Sequence, residues 1–120
     1  MDSIVSTIVS AFIADGISAT KYIVPQNADI SNPDYSVVVV NVISDDGRST
    51  KDTDGVADRT HVIRVDIFTK SASNKDGVFW DVSDSMRAIS SMKISYGGKV
   101  DLYDDQADMY QQTIEYEVKL

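Results

Sequence analysis

The chain has 120 residues, 42% of them hydrophobic, no cysteine and a formal charge of -8 from 19 acidic and 11 basic residues. One domain, residues 1–120, is the default at this length, and it can bury about two-thirds of its unfolded surface without staples. The composition removes disulfides and thiolate chemistry, and the acidic balance argues against gripping nucleic acid, whose phosphates are held mainly by Lys and Arg. No apolar run approaches the ~20 residues of a membrane span. Met1-Asp2-Ser3-Ile4 carries no basic residue, so no signal peptide is expected and folding inside the cell is.

The first element reads as a helix. Ile4, Val5, Ile8, Val9, Phe12 and Ile13 lay one apolar stripe at helical spacing. Asp2 or Ser3 is placed to cap its start, and Gly16 to take the left-handed position after its end. Residues 17–33 read as connecting chain with both prolines, Pro25 and Pro33. Within it, Lys21-Tyr22-Ile23-Val24 is read as a short edge strand stopped by Pro25, which cannot donate to a ladder.

Tyr35 to Ser44 is the strongest strand. Its run Val37-Val38-Val39-Val40 suits burial on both faces. Asp45 to Asp58 follows, polar, aperiodic and rich in charge, and is read as a long loop. A structureless connection of about 14 residues is often functional.

Arg59 to Lys70 is a second strand. His61, Ile63, Val65 and Ile67 share one face, and Val62, Arg64, Asp66 and Phe68 the other. The polar stretch 71–76 leads into a second helix striped by Val78, Phe79, Val82, Met86 and Ile89, with Trp80 and Arg87 off the stripe. A strand covers Met92 to Tyr96, or continues past Gly97-Gly98 into Leu102. The last strand, Met109 to Leu120, alternates Tyr110, Ile114, Tyr116, Val118 and Leu120 with polar residues. The order α-β-β-α-β-β predicts an α+β fold. It is a two-layer sandwich, mainly an antiparallel sheet of about four strands with two helices on one face.

No constellation carries catalysis. His61 has no partner nearby in sequence, and a His on an apolar strand face is more often structural. With one His and no Cys, a zinc site would need mostly carboxylates. Asp52-Thr53-Asp54-Gly55 begins like a calcium loop, but position 12 falls on Ile63 instead of Glu. Gly97-Gly98 lacks the spacing of a phosphate loop, and no G-x-S-x-G elbow occurs. Asp101, Asp104, Asp105 and Asp108 form an acidic run, most simply a solvated turn. Trp80 is divided between core and protein interface. No enzyme, cofactor or metal is expected.

Tyr35 to Val42, the polar loop and Arg59 to Phe68 together resemble the paired central strands of the tail terminator (tail-completion or minor tail) proteins of long-tailed bacteriophages. Gly77 to Arg87 is similar to the helix packed on those strands. Tyr103 to Val118, an aspartate-rich turn before Thr-Ile-Glu-Tyr-Glu, resembles the family's ending. The resemblance spans nearly the whole chain in element order.

This resemblance implies a structural virion protein of the tail, assembled in the host cytoplasm. Its copies are expected to form a hexameric ring that caps the finished tail tube, ends polymerisation and docks to the head connector. DNA passes through without specific binding. The expected partners are therefore the chain itself, the tube protein and the connector protein. A ring needs two different patches per subunit. Val38, Val40, Asp45, Arg48, Lys51, Asp54, Arg64 and Trp80 are the interface candidates. Asp101, Asp104, Asp105 and Asp108 are the lumen candidates, since acids facing a channel would repel DNA. Residues 45–58 are expected to order on assembly. A neck, head–tail joining or baseplate protein of similar fold is the alternative, and a small ligand-binding or hydrolytic α+β domain a further one.

Overall fold

The computed structural model describes residues 2–23, 35–46, 60–106 and 108–119. Helix α1 spans Asp2–Ala14, strand β1 Ala19–Lys21, β2 Ser36–Asp46, β3 Thr60–Thr69, helix α2 Ala72–Ala88, β4 Lys93–Asp104 and β5 Met109–Lys119. The class is α+β, as expected, but among the described residues the sheet has five strands and is mixed, in the order β1-β2-β3-β5-β4. β1 runs parallel to β2, and every other neighbouring pair is antiparallel.

The parallel pair follows from the end of α1. Gly16, at φ +83, donates to Ile13, and Ile17 donates to the Phe12 carbonyl at 2.9 Å. These two bonds satisfy the last helical carbonyls through a left-handed glycine and turn the chain back onto the sheet. The sequence placed the edge strand at 21–24. It lies two residues earlier and ends where Tyr22 takes a left-handed φ of +71. Asp2 and Ser3 lie inside the first turn of α1 rather than before it.

Asp45 and Asp46, assigned to the loop, continue β2 and pair with His61 and Thr60. An irregularity between Val42 and Ser44 allows this extension. The remainder of the expected loop lies outside the described residues. α2 begins earlier than its apolar stripe suggests, because the Ser71 hydroxyl accepts from the Asn74 backbone N–H at 3.2 Å. That cap recruits the polar residues 72–77 into the helix. β4 is continuous through Gly97-Gly98. A second irregularity lies there, and a Cβ on Gly97 would meet the Glu115 carbonyl oxygen at 3.0 Å.

Both helices cover one face. Val38 and Val40 of β2, Ile63, Val65 and Ile67 of β3, and Ile114, Tyr116 and Val118 of β5 form its core. Ile4, Val5, Ile8 and Phe12 of α1 and Val82 and Met86 of α2 pack on them. Registers Val40↔Val65 and Val65↔Ile114 align these side chains across three strands. Val37 and Val39 are also buried, so the valine run is covered on both faces.

Candidate assembly surfaces

The buried polar residues separate structural roles from available ones. His61 is buried on the helix-covered face opposite Val118, in the structural position expected of it. On the opposite face Asp66 is only 5% exposed. Arg64 Nε donates to it at 3.0 Å and Thr113 Oγ1 at 2.8 Å, with Gln111 Nε2 at 3.5 Å. A buried carboxylate is tolerable only when so satisfied. Arg64 is thus committed to Asp66, and the cluster clamps β3 to β5. Asp66 was read simply as an outward strand residue. Its partner Thr113 stands 47 positions away in the chain, so no local pattern marks it.

The interface candidates divide sharply. Val38 and Val40 are fully buried under the helices, which corrects their assignment. Their apolar surface is consumed within the subunit, so nothing of it remains for a neighbour. Asp45 lies near the end of β2, opposite His61. Arg48, Lys51 and Asp54 lie outside the described residues. Trp80 is 58% exposed.

Trp80 leads to a surface the sequence did not single out. Phe79, Trp80, Ser83, Met86 and Arg87 of α2 face Ile94 and Tyr96 of β4 and Tyr116 of β5 across a groove of about 370 Å³. Phe79 and Trp80 meet edge to face at 5.1 Å between centroids, and Tyr96 and Tyr116 at 6.1 Å. Edge-to-face contacts of this kind hold the rings in fixed orientations. Lys99 Nζ lies 4.5 Å from the Phe79 centroid at one end of the groove. Arg87 pairs with Asp84 along its rim. Burial pushes the Tyr116 phenol above its ordinary pKa.

The groove opens at the sheet edge. Among the described residues β4 pairs only with β5 in this sheet, so its other side is an open edge there. Tyr96, Val100, Leu102 and Tyr103 are all exposed along it. At the opposite edge, β1 carries the exposed Ile13, Tyr22 and Ile23 beside it. Among the described residues the other large exposed hydrophobics are Trp80 on α2 and Ile43 on β2. Nothing in residues 93–104 marks this exposure, because Ile94, Tyr96, Val100 and Leu102 alternate with polar residues as in a half-buried strand.

The lumen candidates do come together. Asp101 and Asp104 end β4, and Asp105 and Asp108 lie in the turn to β5. All four are exposed. Asp104 Oδ1 accepts from the Gln106 backbone N–H at 3.0 Å, which closes the turn. Asp101 accepts from Gln112 at 3.2 Å and lies 3.6 Å from Lys99 Nζ. The Tyr103 hydroxyl donates to Asp108 at 2.6 Å, and this bond pushes its pKa up to about 12. Among the described residues no three His, Asp or Glu side chains are grouped to hold a metal ion.

No protein-family model matches this chain, and no curated protein matches it. A solved structure does match in fold. It is a chain of the "Virion of native gene transfer agent (GTA) particle", with a TM-score of 0.56 and 13% sequence identity. The match covers 96% of this chain and 90% of that one. The fold described above is therefore shared, nearly end to end, with a protein solved in that particle.

Proposed function

We propose that the chain is a structural virion subunit that forms a ring on the end of a phage-type tail tube. The ring ends tube polymerisation and offers a docking surface to the head connector. DNA crosses its lumen without specific binding. The observation that carries this reading is the fold likeness, over 96% of the chain, to a protein of a gene transfer agent virion. The resemblance of residues 35–118 to tail terminators narrows the virion reading to the tail end. Two apolar sheet edges on opposite sides of the subunit suit head-to-tail assembly. In this reading the protein is not an enzyme.

The test is negative-stain microscopy of the purified protein mixed with tail tubes of its own particle. A terminator appears as a ring on one end and holds tube length constant. Binding to filled heads but not to tubes would make the chain a joining or neck protein instead. Binding to neither would remove the virion reading.

A further inference from the structure

We propose that subunits join by extending the sheet: the free edge of β4 receives the β1 edge of a second copy. The exposed flank of that copy's α1 then fills the groove beside α2. This deepens the ring reading above and rests on it.

Strand direction permits the junction. β1 and β2 run one way, β3 the other, β5 with β2 and β4 with β3. β4 and β1 are therefore opposed in direction. Placing the β1 of another copy beside β4 makes an antiparallel pair, and the resulting ladder satisfies the backbone groups that an edge leaves open. Because the contact uses two different edges, it is heterologous and repeats around a ring.

The helix layer fits the same operation. Both helices lie on one face of the sheet, so sheet extension brings α1 of the second copy alongside α2 of the first. Lys21 Nζ donates to Ser6 Oγ at 3.2 Å, which marks the Ser6 flank of α1 as the one over β1. Ile13, two helical turns beyond Ser6, shares that flank and is 57% exposed. It points outward over the β1 edge, where a neighbour's groove between Trp80 and Tyr96 would meet it.

The exposed aromatic surface at this edge would form the centre of such a junction, and the sheet ladder and the helix flank the rest of it. Trp80, Tyr96 and Tyr103 are each about half exposed, which leaves on the order of 300 Å² of aromatic surface along this edge. Val100 and Leu102, opposite Thr113 and Gln111, are exposed on the other face of the same edge strand. Monomeric proteins rarely expose contiguous apolar patches larger than a few hundred Å². A standard interface takes about 800 Å² from each partner, and an apolar patch rimmed by polar residues is its usual centre. The rim here is present, in Arg87, Asp84, Lys99 and Asp101.

Two double variants test the junction. Val100→Lys with Leu102→Lys blocks the β4 edge, and Ile13→Lys with Ile23→Lys blocks the β1 side. All four positions are exposed, and circular dichroism confirms that each variant is folded. Native mass spectrometry then compares wild type, each variant alone, and their mixture. Wild type is expected as a closed oligomer and each variant alone as a monomer. The mixture is expected at twice the subunit mass and no higher, because one intact pair of edges remains. A β1-side variant that still dimerises would show β4 pairing with itself and overturn the proposal. So would variants that assemble like wild type, which would leave the ring reading standing with its contacts elsewhere. Monomeric variants whose mixture forms no pair would also overturn it. A monomeric wild type would remove the ring reading itself.

Discussion

β2 and β4 are long strands of one sheet, of 11 and 12 residues, and they lie in opposite settings. β2 lies inside the sheet, and its four consecutive valines are buried on both faces. β4 lies at the edge, and none of its residues is buried. Both are apolar enough to attract a partner. β2 has spent that surface within the subunit, whereas Tyr96, Val100 and Leu102 of β4 keep theirs. Hydrophobicity in the sequence therefore does not distinguish surface buried within the subunit from surface left exposed; position in the sheet does.

Substitution of matched valines is the strongest way to break this comparison. Val40→Asp places a charge in a fully buried site and is expected to cost more than about 4 kcal/mol, enough to unfold a small domain. Val100→Asp is expected to stay within about 0.5 kcal/mol, as for other surface changes. Urea denaturation of the two variants measures the contrast, and equal losses would refute it.

Asp66 tests a different kind of burial. Asp66→Ala leaves the Thr113 hydroxyl and the Arg64 guanidinium without their acceptor and is expected to cost about 1–3 kcal/mol. The same substitution at the exposed Asp104 should cost far less, read from the same urea curves. A smaller step concerns the helix that walls the groove. Ser71→Ala removes the acceptor for the Asn74 N–H and should cost about 1 kcal/mol, whereas Ser71→Gly should cost only a few tenths.

The smallest effect lies at the far end of β4. Tyr103 is expected to titrate at about 12, because its hydroxyl donates to Asp108. The fold favours the neutral phenol. Its contribution is therefore complete below the ordinary value of about 10 and is lost as pH rises through about 12. Ultraviolet titration of wild type and Asp108→Asn checks this, with the variant returning toward the ordinary value.

Much of the fold was legible where one periodicity ruled. The α1 stripe, except Ile13, which is 57% exposed, and the alternation in β3 and β5 lie where the sequence placed them, because each of those elements turns one apolar side to the core. β1 was misplaced by two residues because Tyr22 and Ile23 suit a strand, while the backbone reversal at Tyr22 is not written in their side chains. The start of α2 was missed because residues 72–77 are polar, although Ser71 followed three residues later by Asn74 carried a capping signal. The site was less legible. Trp80 was found from its position off the helical stripe, but its groove partners Ile94 and Tyr96 lie on a strand whose edge position depends on pairings distant in sequence. Val38 and Val40 were named as interface residues for the apolarity that in fact buries them.

The most direct test of the account is native mass spectrometry of the full wild-type chain over a range of concentrations. The account predicts a closed oligomer of fixed copy number, six if the likeness to tail terminators extends to stoichiometry, that grows at the expense of monomer. A monomer at every concentration, or an open ladder of masses with no preferred size, would contradict it.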